Sequence, residues 1–213
     1  MQKALAAIGN PGIHVDGMFI DEENQCTADT LYAMFKPTEP FLGFEPTGRE
    51  LILRERRFTC FTDGKLSGVV SITNSDDLRK QMATPGGNSE LGLVRECPVP
   101  TTNKLSAKEL EASYRAYIEQ STVAGQRRTW SNSSNPRLPS TTAYGHALIV
   151  HEETQRTAVR LLLTGTPATE YAGLAAGRAV QFPGHSIHQF VDGTIQRAWS
   201  VMDMDSAREQ SAE

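Results

Sequence analysis

No lysine- or arginine-rich run occurs anywhere in this chain of 213 residues, and its net charge is −4. Holding nucleic acid by its phosphates takes a basic face, so that class of function has little support. No apolar stretch approaches the ~20 residues needed to span a bilayer. The first residues, MQKALAAIGNPG, lack the longer apolar core of a signal peptide. The expected location is therefore the cytoplasm. Cysteine is scarce: Cys26, Cys60 and Cys97, with no CxxC and no Cys/His spacing that would suit a metal. The expectation is three inert thiols, buried or half-buried in strands and loops. No metal and no organic cofactor is indicated.

What is present is strand-like sequence broken by strong turns. Asp63-Gly64 and Asp192-Gly193 each sit between apolar runs, and Asp-Gly favours the positive φ values of a tight hairpin. Residues 50–61, ELILRERRFTCF, alternate as a long strand with one wet face. SDDLRKQM at 75–82 reads as a short helix. A clear helix begins at Ser106, where Ser106 and Glu109 have capping-box spacing. Leu110, Tyr114, Tyr117 and Ile118 then form one apolar stripe. Residues 2–8 read as the end of a helix, and 131–142, SNSSNPRLPSTT, as a loop.

The most informative feature is a repeat. Glu22–Ala28, EENQCTA, lines up with Glu152–Ala158, EETQRTA, five of seven positions being identical. One deletion later, Gly48-Arg49, Phe61, Asp63-Gly64 and Ser71 match Gly177-Arg178, Phe190, Asp192-Gly193 and Ser200. Asp76, Arg79 and Gln81 match Asp205, Arg208 and Gln210. Two related domains follow, 1–83 and 104–213, joined by a linker at 84–103 that is rich in Gly, Pro, Thr and Asn.

GTPATEYAGLAAGRAVQF, followed by HSIHQFVDGTIQRAWSVMD, resembles the C-terminal half of SnoaL-like polyketide cyclases, and GFEPTGRELIL…FTCFTDGKLSGVVSI…LRKQ resembles the same half again. The resemblance implies an α+β fold, a cone-shaped, curved, antiparallel or mixed sheet packed on N-terminal helices, here tandem and partly truncated. It also implies metal-free acid/base chemistry on a small hydrophobic polyketide or terpenoid intermediate: cyclisation, isomerisation or dehydration. A poised base and a donor to the developing oxyanion would be needed. A non-catalytic small-molecule-binding or assembly module of the same fold is the alternative, since fold does not set function. Unpaired sheet edges suggest a homodimer.

The family places its catalytic aspartate in the last strand, and Asp203 matches that position. Trp199, Val201 and Asp203 point to one side of a strand by alternation, so Asp203 would end an apolar face that raises its pKa. His188, on the preceding strand with Ser186 and Phe190, is the expected acid/base partner. His185 points to the other side. Trp199, Tyr171, His185 and Tyr117 are expected to contact substrate, with Tyr114 a further aromatic candidate. His146 and His151 bracket an apolar strand on opposite sides and are expected to be structural. In the first domain the positions matching Trp199, Asp203 and His188 hold Val70, Asn74 and Thr59. That domain is therefore expected to be non-catalytic.

Overall fold

The computed structural model describes residues 11–41, 44–84, 93–123 and 142–212. The helix expected at 2–8 and nearly all of the loop expected at 131–142 lie outside these residues. The chain divides into two compact units, Met1–Pro98 and Val99–Glu213. Each is α+β, with one four-stranded antiparallel sheet.

The first unit contains β1 (Gly12–Asp21), β2 (Cys26–Phe35), β3 (Leu51–Thr62), β4 (Lys65–Thr73) and helix α1 (Ser75–Ala83). The second contains α2 (Ala107–Val123), β5 (Thr142–His151), β6 (Arg156–Gly165), β7 (Val180–Val191), β8 (Thr194–Met202) and α3 (Met204–Ala212). Both sheets run in sequence order. Neither contains a parallel pair, so the mixed option does not arise.

The repeat extends to backbone detail. Asp63 and Asp192 have φ of 51° and 49°, and the glycines after them 69° and 73°, as the Asp-Gly hairpins require. Gln25 and Gln155, matched in the repeat, turn at 51° and 54°. The outer hairpin β1–β2 carries a bulge at Asp16, and β5–β6 carries one at the matching position, between Gly145 and Ala147. β7 runs through Pro183 without a break because Pro183 lies beyond the last β8 pair, Gly184 with Met202.

The core of the second unit lies between the sheet and α2. Leu110 and Tyr114 of the helix pack with Val159, Leu161, Phe182 and Phe190 of β6 and β7. The expected capping box is formed: the Ser106 N–H donates to Glu109 Oε2 at 2.8 Å and the Glu109 N–H to Ser106 Oγ at 3.4 Å. The Ser106 hydroxyl also donates to Glu109 Oε2 at 2.7 Å, and this bond, with that from the Ser106 N–H, holds the Glu109 carboxyl below its ordinary value. Gln155 fixes where the helix enters. Its side chain accepts from the Leu105 N–H and donates to the Leu105 carbonyl, both at 2.7 Å. Gln155→Ala would strand both groups, and we expect a loss of about 1–3 kcal/mol in denaturant unfolding.

Two sequence expectations change here. Residues 93–98 fall within the stretch read as a linker, yet they pack on the first sheet. The Asp16 carboxylate accepts the backbone N–H of Val94 at 2.9 Å and of Arg95 at 3.2 Å, and Arg95 donates to the Tyr32 hydroxyl at 3.0 Å. Composition alone hides this, because backbone amides supply the bonds. The cysteines are corrected more sharply. Cys26 and Cys60 face each other across β2 and β3 and form a disulfide, and Cys97 lies outside it as a buried thiol. In the second unit the same ladder position holds Arg156 and Gln189, joined by a 2.6 Å hydrogen bond.

Candidate functional site

Strand alternation divides the candidate residues of the second unit between the two sides of the sheet. On β7, Phe182, Ser186, His188 and Phe190 share the side that meets α2, opposite Leu163, Val159 and Thr157 of β6. His185 and Ile187 point to the other side, where their β8 partners are Val201 and Trp199. The structure therefore brings His188 together with Tyr114 and Tyr117, and sets His185 on the same side of the sheet as Trp199. It does not bring Trp199 to His188, because neighbouring positions on a strand face opposite ways. The Trp199 ring instead carries the Arg156 guanidinium at 5.9 Å.

His188 is 1% exposed. Its ring centre lies 5.2 Å from that of Tyr114 and 6.1 Å from that of Tyr117. Its Nε2 is 3.1 Å from Ser186 Oγ. Ser186 Oγ also lies 3.2 Å from the Trp199 carbonyl and 2.9 Å from Ser200 Oγ. Two more hydroxyls belong to this cluster. Thr157, directly across the ladder from His188, and Tyr114 are buried, and neither hydroxyl meets a hydrogen-bond partner among the described residues. Burial, with a smaller contribution from Tyr117, pushes the Tyr114 phenol well above its ordinary value. It therefore remains a neutral O–H donor at any working pH.

Alternation places Ser186 on the His188 face but gives it no role, and the sequence alone does not single out Thr157. Thr157 could have been found by pairing the two EExQ segments with the hairpins that follow them. Tyr114 was visible only as one aromatic in a helical stripe, a pattern that any core helix shows.

Asp203 lies past the end of β8, at the start of α3. Its Oδ1 accepts the Ser206 N–H at 3.1 Å, its carbonyl accepts from Ala207, and its own N–H donates to the Pro183 carbonyl at 3.0 Å. This is an N-cap. The first unit makes the same cap with the matching residue: Asn74 Oδ1 accepts the Asp77 N–H at 3.1 Å ahead of α1. An amide and a carboxylate do this equally well, which explains why the repeat can carry either. Asp203→Asn should therefore change unfolding free energy by less than about 0.5 kcal/mol, whereas Asp203→Ala should lose about 1 kcal/mol. Thermal unfolding of the two variants side by side checks this.

Tyr171 sits in the β6–β7 connection, its backbone bridged to Leu174. His151 Nδ1 lies 2.8 Å from Thr154 Oγ1 in the turn after β5, in keeping with a structural role; the His146 side chain lies outside the described residues. Among the described residues, no group of three or more His, Cys, Asp and Glu side chains is placed to hold a metal ion. No helix among them is long and apolar enough to cross a membrane.

Residues 142–211, from β5 through most of α3, match the model of the SnoaL-like polyketide cyclase family. The resemblance read from the sequence thus holds over residues 142–211. Solved structures similar to this chain include AclR from Streptomyces galilaeus, 19% identical, covering 50% of this chain and 87% of that one with a TM-score of 0.39. A SnoaL-like polyketide cyclase from Agrobacterium tumefaciens is 24% identical, covering 47% of this chain and 96% of that one, with a TM-score of 0.37. TsrD from Streptomyces laurentii is 13% identical over 50% and 97% of the two chains, with a TM-score of 0.40. No curated protein matches the chain.

Proposed function

Taking the second unit as a SnoaL-like polyketide cyclase domain through residues 142–211, we propose that it catalyses a cyclase-type reaction on a small hydrophobic intermediate of secondary metabolism. The chemistry is proton transfer at a carbon acidified by a neighbouring carbonyl. His188 is the acid/base, Tyr114 the donor to the enolate oxygen, and Tyr117 a wall against which a planar substrate stacks. One observation carries this reading. A buried histidine stands beside a phenol whose hydroxyl is buried with no hydrogen-bond partner among the described residues.

The hydrogen bonds admit the tautomer this role needs. A serine has a single proton to give. If Ser186 gives its proton to the Trp199 carbonyl, its oxygen accepts from His188 Nε2–H, and Nδ1 keeps the lone pair that acts as base. Trp199 then serves through its backbone, and Ser186 is a positioning residue. Asp203 holds α3 in place, and its part in the chemistry is indirect.

The test starts from the intermediate that accumulates when the gene is deleted. The purified protein should convert it, and should exchange its acidic C–H for solvent deuterium. Binding without conversion or exchange would select the alternative, a non-catalytic binding module. Loss of exchange in Asp203→Asn with His188→Gln unaffected would return the base to Asp203. Cytoplasmic location and a homodimer belong to the same proposal, and size-exclusion chromatography with light scattering addresses the second.

A further inference from the structure

The two units differ most in what lies on the sheet side that bears α2 in the second unit. There, Leu148 and Val150 of β5 and Ile195 of β8 pack against the core cluster that includes Leu110 and Tyr114 of α2, and Phe190 is 1% exposed. The register gives each a counterpart in the first unit: Met18, Ile20, Leu66 and Phe61. These are 51%, 54%, 62% and 37% exposed. All four point to the side of the sheet on which Phe35, Leu51 and Leu53 meet α1, since Met18 pairs with Asp29, Ile20 with Thr27 and Leu66 with Phe61. Ile13 and Val15 extend the same exposed row along β1. An apolar row of this length on a strand face marks an interaction surface.

A second, independent observation lies on the same face. Asp29, at the position of Val159, is 5% exposed. Its Oδ2 accepts from Arg57 Nε and Nη2 at 3.3 and 3.2 Å, while its buried Oδ1 has no hydrogen-bond partner among the described residues. A buried carboxylate oxygen without a donor is costly, and it marks where a donor belongs.

We propose that this face of the first sheet is a docking site for an amphipathic α-helix from a partner protein. Such a helix would have apolar residues at the i, i+4, i+7, i+8 spacing of Leu110, Tyr114, Tyr117 and Ile118, and would bring a basic or hydroxyl donor to Asp29. The internal repeat says what fits: the same strands in the same register, one turn of the repeat later, carry α2. The first unit thereby has an assembly role, separate from the chemistry of the second and independent of whether that chemistry is correct.

The probe is a fluorescein-labelled peptide of this chain's own residues 104–123, KLSAKELEASYRAYIEQSTV, together with a version carrying Tyr114→Arg, each titrated against the full-length protein by fluorescence anisotropy. Saturable binding is expected, tighter for the arginine version. Met18→Glu should weaken both peptides about tenfold or more, as loss of a central apolar contact does. Asp29→Asn should remove most of the arginine preference while leaving binding of the unmodified peptide nearly unchanged. Met18 is half exposed, so its substitution leaves the fold in place, as circular dichroism should verify. Equal binding to wild type and Met18→Glu overturns the proposal, as does no binding at all. A protein that is dimeric in solution and becomes monomeric with Met18→Glu assigns the face to a second copy of this chain and overturns it as well. So does binding that appears only after residues 1–10 are deleted, since that places the chain's own segment on the face.

Discussion

His188→Gln is expected to lower kcat by about two to four orders of magnitude, the usual contribution of a positioned general acid/base, with KM changed little. Glutamine keeps much of the imidazole's size and its capacity to bond Ser186, so the fold should survive. The loss should be in proton transfer, and the exchange of substrate C–H for deuterium should fall in parallel with turnover. Tyr114→Phe removes only the hydroxyl. That oxygen is buried without a partner among the described residues, so its removal should leave stability unchanged or slightly raised. If it donates to a developing enolate, kcat should nevertheless drop by about two to three orders of magnitude. A tyrosine with no part in the chemistry would keep its turnover, and one whose hydroxyl supports the fold would lose stability instead. This combination, catalysis lost while stability is kept, separates the proposal from its alternatives more cleanly than His188 alone. Unchanged turnover in both variants would refute it. The pH profile adds a third reading: because the phenol is pushed far up by burial, activity at high pH should not fall through Tyr114 ionisation.

The fold was readable because its signals are local. Asp-Gly turns, the strand at 50–61 and the Ser106–Glu109 box each depend on residues a few positions apart, and the structure forms each one, although β3 has no single wet face: Arg56 and Thr59 are buried and Phe61 is exposed. The division of candidates between the two sides of the sheet was also readable for His185 and His188, because period-2 geometry leaves no choice. For Asp203 alternation does not reach: it lies one residue past the strand, where the chain turns into α3. Sequence shows an Asp after a strand and an Asp before a helix as the same letter, and only the Ser206 N–H distinguishes them. The repeat held the answer in part, since Asn74 fills the equivalent cap. Its amide, read as a lost acid, is better read as a retained oxygen. In the first unit, Asp29 carries a buried carboxylate where the second unit has Val159, a difference that shows only when the first unit's residues are set against the second's rather than the reverse.

Reduction of the Cys26–Cys60 bond is expected to destabilise the first unit by about 3–4 kcal/mol, from the loop-closure entropy of a bond spanning a sequence separation of 34. The expectation of inert thiols failed for a register reason. Cys26 opens β2 directly after one turn, and Cys60 lies two residues before the end of β3. Only the antiparallel pairing of strands separated by residues 36–50 sets them opposite each other. Full-length protein heated with and without reductant should show its first unfolding transition fall by about 10 °C or more, and Cys26→Ser with Cys60→Ser should match the reduced wild type and no longer respond to reductant. The second unit offers a control designed by the chain itself. It bridges the same ladder position with Arg156 and Gln189, so Cys26→Arg with Cys60→Gln should recover part of the loss, about 1 kcal/mol for one hydrogen bond to a charged group, while staying insensitive to reductant. A transition unmoved by reductant, with both thiols open to maleimide beforehand, would mean that the bond does not form. The result also bears on location. A structural disulfide persists in oxidising compartments and is rare in the cytoplasm, so the state of Cys26 and Cys60 in freshly quenched cells tests the cytoplasmic proposal directly. Blocked thiols there would count against it, and free thiols would mean that the first unit works in its less stable, reduced form.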